Sequence, residues 1–310
     1  MANIWLIGGT SESAQLAKLL SEQDLPYVVT VTTPEAKRLY LDYAQVQVGL
    51  LNAQSISQFV SQWNIKGILD ASHPFACEIS QLAIRCAQTH GIAYLRYERA
   101  TVTKRDTTNK KTADRKIGSK KTDGKKTDSK KTDDEECKVR DIYLENLTKT
   151  QEIEEITETR EQSIVVLAKS ISELVESNIL RGQRVLFTIG YRYLSLFSSL
   201  RADSQLFARI LPSKAAITGA IAAGFSPSEI IAIRPPISAD LECALWKQWQ
   251  ITRVVAKASG SPGGEDVKRA IARHLGIPLL LIERPCITYP NRTISISAAI
   301  EFCIKTLKVY

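Results

Sequence analysis

Three stretches carry residue types whose spacing suits chemistry. Gly8-Gly9-Thr10-Ser11 follows an apolar run and precedes a helical pattern. Glycines let a backbone approach a ligand closely, and the first N–H groups of a helix, unpaired and at the positive end of its dipole, attract phosphate. The same residues also suit an ordinary strand-to-helix turn capped by Thr10 or Ser11, and their spacing is neither Gly-x-Gly-x-x-Gly nor Walker A. His73, beside Ser72, follows the apolar run 67–71. Open α/β sheets bind ligands at such strand ends, and an imidazole there either moves protons or shapes a turn. Lys257 precedes Ser259-Gly260 and Gly263-Gly264, a second possible backbone cradle for an anion with a fixed charge beside it.

These residues need strands and helices to hold them. Asn3–Ile7 reads as a strand and Ala14, Leu16, Ala17, Leu19 and Leu20 as a helix face. Tyr27–Thr32 is a β-branched strand, 46–48 a short one, and Ser55–Trp63 an amphipathic helix. The 67–71 strand leads to a helix opened by Pro74, and 91–99 is a further strand. From residue 163 the alternation resumes, with strands at 184–189, 206–211, 229–234, 252–257 and 277–282. A helix is expected near Leu194, another over Leu241–Trp249 with Trp246 and Trp249 near its apolar side, and a third over Val267–Leu275. Strand–helix alternation of this kind predicts an α/β fold: two Rossmann-like parallel-sheet units, residues 1–100 and 163–310, with a cleft between them.

The second strand ends at Thr32-Thr33 with no acid at the strand end; Glu35 lies beyond it, and Lys37 and Arg38 are close by. In a dinucleotide fold an acid here accepts from the ribose 2′-hydroxyl, whereas cations favour a 2′-phosphate. If a dinucleotide binds, NADPH is therefore expected over NADH. Otherwise Lys37 and Arg38 form a solvated face.

Composition narrows the classes. No apolar stretch approaches the ~20 residues that span a bilayer, and the N-terminus lacks the pattern of a signal or transit peptide; a cytoplasmic location is expected. Six cysteines show no C-x-x-C spacing, and the three histidines show no helical ligand spacing. That argues against a disulfide framework and against a protein-built metal centre; the cysteines read as reduced core thiols, with Cys137 exposed.

The formal charge is +8. Residues 101–162 hold 16 Lys/Arg against 15 Asp/Glu, leaving 25 against 18 elsewhere. The part expected to fold is thus the basic part, which suits an anionic partner. Lys-Lys-Thr-Asp recurs at 120, 125 and 130 before an acidic stretch. With so few apolar residues, 101–162 is expected to be a disordered insertion. A polyanion tether is the other reading of its lysines.

The series Gly8-Gly9-Thr10 with Glu12, Asp70-Ala-Ser-His-Pro-Phe-Ala76, Leu95-Arg-Tyr-Glu-Arg99, Thr188-Ile-Gly190, Ala208-Arg-Ile-Leu-Pro212, and Lys257 through Ser259-Gly260 to Gly263-Gly264 resembles the precorrin-6A and cobalt-precorrin-6A reductases of corrin biosynthesis. The resemblance covers residues 1–100 and 163–310. It implies NADPH-dependent reduction of one double bond of a tetrapyrrole macrocycle, giving precorrin-6B, with cofactor on the first unit and substrate between the two. It implies Gly8, Gly9, Thr10 and Ser11 at the pyrophosphate, and Thr32, Thr33, Lys37 and Arg38 near the 2′-phosphate. Ser72 and His73 would sit at the nicotinamide or substrate edge, where His73 or a water would supply a proton. Arg96, Arg99, Arg209, Lys257, Ser259, Gly260, Gly263 and Gly264 would meet substrate carboxylates. The sequence departs from the family pattern in its insertion and at Pro235-Pro236-Ile-Ser238, where Gly-Pro-Phe-Ser is expected. A carbonyl reductase of the short-chain type is the nearest rival, but no tyrosine has a lysine four residues later. A non-catalytic nucleotide or polyanion binder leaves the His73 turn and the second glycine loop unexplained.

Overall fold

Apolar runs become strands buried on both faces because helices cover both sides of a parallel sheet. The computed structural model describes residues 2–40, 43–101 and 164–309; the charged insertion, Cys137 included, lies outside the described residues apart from Thr101. The first sheet contains β1 (Asn3–Ile7), β2 (Tyr27–Val31), β3 (Val46–Val48), β4 (Ile65–Asp70) and β5 (Ala93–Tyr97). Side chains alternate across it. Ile4, Leu6, Val29 and Leu69 pack on one side, under α1 (Ser11–Glu22); Trp5, Ile7, Val28 and Ile68 pack on the other, under α3 (Ser55–Gln62) and α4 (Cys77–His90).

The second sheet contains β6 (Val165–Ala168), β7 (Arg184–Phe187), β8 (Gln205–Ile210), β9 (Ile230–Ala232), β10 (Arg253–Lys257) and β11 (Leu279–Ile282). Val185, Phe187 and Val255 face one core. Leu186, Val254 and Ala256 face the other, with Trp246 at its centre. Trp249 stacks on Phe207 at 4.5 Å between ring centroids. Around these strands lie α5 (Ile171–Glu176), α6 (Lys214–Ala222), α7 (Ala239–Gln248) and α8 (Glu265–Leu275). Ser238, retained at the departure from the family pattern, accepts a hydrogen bond from Leu241 N as the N-cap of α7.

Every strand pair among the described residues is parallel. The first sheet runs β3-β2-β1-β4-β5-β12, where β12 is Arg292–Thr293, and the second β9-β8-β7-β10-β11-β6. Each order reverses once, between β1 and β4 and between β7 and β10, and such switch points open a crevice at the strand ends. Both glycine loops begin there, after β1 and after β10.

The structure corrects the expected unit 163–310. β12 (Arg292–Thr293) joins the first sheet, pairing Arg292 with Arg96 and Thr293 with Tyr97. The last helix, α9 (Ile296–Lys308), then lays Ala299, Ile300 and Cys303 over Ile4, Leu6 and Leu69. Gly67 permits the approach, since a Cβ there would lie 2.9 Å from Thr306 Cγ2. The helix expected near Leu194 is a 3₁₀ turn over Tyr191–Ala202; its buried residues Leu194, Phe197 and Leu200 recur every three positions, the period of that helix. The helix expected from Pro74 starts at Cys77, because His73 O first accepts Ala76 N at 2.8 Å and closes a turn. Among the described residues, no helix is long and apolar enough to cross a membrane.

Candidate active site

The turn after β1 is held by the protein's own hydroxyls. Gly9, at φ +100°, donates its N–H to Tyr40 Oη at 2.7 Å, and that oxygen lies 2.6 Å from Ser13 Oγ. Thr10 is the N-cap of α1: its Oγ1 accepts Ser13 N at 3.1 Å and donates to Ala71 O at 2.9 Å, which ties the β1 turn to the β4 turn. A Cβ on Gly8 would lie 2.4 Å from Tyr40 Oη and 2.8 Å from Val29 Cγ1, so this glycine is required by packing. Ser11 and Glu12, the first two residues of α1, keep the N–H groups that no turn of helix can satisfy. Overpacking costs about 1–3 kcal/mol. Gly8→Ala should lose that much in urea unfolding, with Tyr40→Phe restoring part of it in the double variant; no recovery would mean that Tyr40 is not the obstacle.

At the end of β2, Thr33 caps α2 (Pro34–Lys37) by accepting Ala36 N. Thr32, Lys37 and Arg38 are exposed, and neither cation has an acidic partner among the described residues.

The β4 turn is organised by Asp70, which is fully buried. Oδ1 accepts Ser72 N at 3.0 Å and Arg96 Nη1 at 2.8 Å; Oδ2 accepts Ser80 Oγ at 2.6 Å and Tyr94 Oη at 2.8 Å. Burial and Asp70 push the Tyr94 phenol up. Arg96 also donates to Ser72 Oγ and Ser72 O, both at 3.0 Å, and to Glu98 Oε2 at 3.1 Å. Burial opposes its charge, but Asp70 and Glu98 hold it above the ordinary arginine value. Ser72, expected at the nicotinamide or substrate edge, and Arg96, expected at substrate carboxylates, are here hydrogen-bonded to each other inside the protein: a fully desolvated guanidinium is kept where it has carboxylates to meet.

His73 is half-buried, and its Nδ1 accepts Phe75 N at 3.2 Å. Burial, reinforced by the positive charges of Arg99, Lys257, Arg96 and Arg284, pushes its pKa down to about 3. The ring is thus neutral, with its proton on Nε2. It can donate a hydrogen bond there but holds no imidazolium to discharge near neutral pH.

The strand ends of the two sheets meet at a charged seam. Arg99 joins Glu12 (Nε to Oε1, 2.8 Å) to Ser259 O (3.0 Å). Arg284 donates to Ala258 O at 2.8 Å, to Glu98 Oε1 at 2.9 Å and to Arg99 O at 2.8 Å. Arg99 is thereby a clamp between the units and not a free cation for substrate. Lys257 differs. Its Nζ lies 4.4 Å from the centroid of Tyr193 and 5.0 Å from that of Phe75, with no carboxylate partner among the described residues.

The second glycine loop is not the anion cradle its sequence suggests. Gly260 N donates to Glu265 Oε2 at 2.8 Å, so a protein carboxylate already fills the cradle. Gly263 N goes to Gly260 O and Gly264 N to Ser261 O; Lys268 Nζ donates to Gly263 O and Gly264 O, both at 3.0 Å. Burial, then Arg209, lowers Lys268 to about 8. A Cβ on Gly263 would fall 1.9 Å from Ser259 Oγ, so close packing explains this glycine. Arg209 pairs with buried Glu242, which also accepts Trp246 Nε1 at 3.0 Å. Arg209, Ser259, Gly260, Gly263 and Gly264 are all engaged by their own chain.

Sequence reasoning missed Tyr40, Phe75, Tyr193, Arg284 and Glu265. Only Glu265 left a local signal, as an acid on the first turn after a glycine loop. A cleft of about 720 Å³ lies elsewhere, near Lys66, Ala93 and Thr306. It is at the strand starts, where open α/β sheets do not bind their ligands.

Comparison with known proteins follows the same outline. The family model described as precorrin-6x reductase CbiJ/CobK matches residues 3–119 and 135–304. A cobalt-precorrin-6A reductase of Synechocystis sp. is 38% identical over 309 residues, covering 99% of this chain and 98% of the relative. One of Salmonella typhimurium is 27% identical, covering 91% and 88%. The solved structure titled CobK precorrin-6A reductase superposes with a TM-score of 0.67 at 18% identity, covering 99% of this chain and 97% of its own, a likeness of fold.

Proposed function

This chain belongs to the precorrin-6x reductase CbiJ/CobK family, and from that premise we propose that it uses NADPH to reduce a macrocycle double bond of precorrin-6A, or its cobalt form, to the precorrin-6B level. It is an oxidoreductase acting on a CH–CH bond of a precorrin macrocycle, in the service of cobalamin biosynthesis. The cofactor is a reduced nicotinamide, which supplies a hydride when bound. The cofactor half is residues 1–100 with the C-terminal return, and the macrocycle lies in the seam between the sheets.

The observation that supports NADPH in particular is the end of β2. Lys37 and Arg38 are exposed cations without acidic partners among the described residues, and no acid stands at the strand end itself, where a ribose 2′-hydroxyl would be read. Ser11 and Glu12 N–H groups and the Gly8-Gly9-Thr10 turn would receive the pyrophosphate, with Thr32 and Thr33 beside the 2′-phosphate. The donor set therefore fits the group. His73 Nε2–H would donate a hydrogen bond to the nicotinamide or substrate edge, and Lys257 would face the macrocycle. A basic folded part suits a substrate carrying many carboxylates. The reading includes a cytoplasmic location, where a reduced nicotinamide pool is at hand.

The test is turnover of precorrin-6A and cobalt-precorrin-6A followed through cofactor absorbance, with NADPH and with NADH. NADPH should be preferred, and Lys37→Ala/Arg38→Ala should lower kcat/KM for NADPH about 10–100-fold while sparing NADH, since charge-assisted hydrogen bonds contribute about 1.5–3 kcal/mol. A wild-type preference for NADH overturns the NADPH assignment; no oxidation with either substrate removes the proposed function.

A further inference from the structure

Reducing a carbon–carbon double bond needs a proton as well as a hydride, and the histidine nearest the seam is in the wrong state to give one. We infer that Lys257 is the general acid of this reaction, protonating the macrocycle carbon next to the one that accepts hydride. The inference rests on the reductase reading above. One carbon gains a hydride as the reduced nicotinamide is oxidised, its neighbour takes a proton from the Lys257 ammonium, and the double bond becomes single. Lys257, left as a neutral amine, then recovers a proton from water.

Geometry selects this lysine. It ends β10 at the second switch point and reaches across the seam to Phe75, on the turn after β4 in the first unit. Tyr193, from the second unit, covers its other side. Two aromatic faces hold the ammonium in a fixed place. Among the described residues no carboxylate neutralises it, in contrast to Arg96, Arg99 and Arg209, each committed to Asp70, Glu12 or Glu242. It remains half-buried, so a bound substrate can reach it.

The groups facing it are cationic or neutral. Arg192 comes from the 3₁₀ turn, Cys77 from the start of α4, and His73, itself neutral, from the β4 turn. Burial, then Arg192, lowers the lysine to about 8, with Cys77 opposing. An acid works best when its pKa lies near the working pH. An arginine in its place would keep a positive charge for a carboxylate but would give up no proton.

The experiment compares wild type, Lys257→Arg and Lys257→Ala. Wild-type kcat should fall as pH rises through about 8, as the ammonium is lost. Lys257→Arg should keep substrate KM within a few-fold, lose about 10²–10³ in kcat, and lose that alkaline limb, since general acid catalysis contributes about 10²–10⁴. Methylammonium should partly restore kcat in Lys257→Ala. Independently of turnover, acylation of Lys257 followed by mass spectrometry should rise to half its maximal rate near pH 8 and be slowed by bound substrate. Lys257→Arg turning over within threefold of wild type overturns the inference and leaves Lys257 a binding residue. So does a wild-type kcat flat to pH 10, a measurement that needs no variant to fold. Wild type inactive with both substrates instead indicts the reductase reading, while the acylation profile still reports on the lysine.

Discussion

Arg96→Met is expected to lower the unfolding free energy by about 3–5 kcal/mol, the cost of removing one partner from a buried ion pair. Asp70 is completely buried, and Arg96 is its only cationic partner among the described residues. Taking away the guanidinium leaves a carboxylate in a low-dielectric interior, supported only by Ser72 N, Ser80 Oγ and Tyr94 Oη. It also strips the donors from Ser72 Oγ and O, which shape the turn that carries His73. Removing both charges in Asp70→Leu/Arg96→Met should recover part of the loss and no more, because the hydroxyls of Ser80 and Tyr94 then have no acceptor. Urea midpoints with unchanged m-values measure this. A substrate-binding Arg96, as the family resemblance implies, predicts the opposite: a large rise in KM with stability unmoved. That outcome would sink the structural reading.

Stability should also fall faster with acid in the wild-type chain than in His73→Asn. Above pH 6.5, His73 is neutral whether the chain is folded or not. Below it, the unfolded chain takes up a proton that the folded chain refuses until about pH 3. Each unit in that window then removes about 1.36 kcal/mol of unfolding free energy. Between pH 6.5 and pH 5 the wild type should thus lose about 2 kcal/mol more than a variant with nothing to titrate there. Asparagine is the chosen replacement because its Oδ1 can still accept Phe75 N–H. Paired urea unfolding curves at pH 7 and pH 5 check the difference. Equal losses in the two chains would mean that His73 is protonated in the fold, reopening its place as proton donor.

Periodicity made most of the architecture legible. The mainly apolar stretches at 3–7, 27–32, 67–71, 184–189 and 252–257 each overlap a strand, Asn3–Ile7, Tyr27–Val31, Ile65–Asp70, Arg184–Phe187 and Arg253–Lys257, because a parallel sheet buried on both faces favours runs dominated by apolar side chains. The glycine turns were legible for a similar reason: a strand must stop where its backbone bends into a helix, and both turns do lie at switch points. The return of the C-terminus was not legible. Arg292-Thr293 is too short to read as a strand, and it became one only because the edge of β5 was open to it.

The sequence by itself determined most of the strands, their order and the family, because these depend on local patterns of apolar, glycine and capping residues. Only the tertiary structure decided which charged side chains remain free. Arg96, Arg99, Arg209 and Lys257 look alike along the chain, each a cation at or near a strand end. Asp70 is 26 positions from Arg96, Ser259 is 160 from Arg99, and Glu242 is 33 from Arg209. Partners so distant leave no mark on the local sequence, yet a buried cation must find them. The fold pairs the three arginines and gives Lys257 two aromatic rings in place of a carboxylate. Desolvation, which depends on everything packed nearby, leaves His73 neutral beside it.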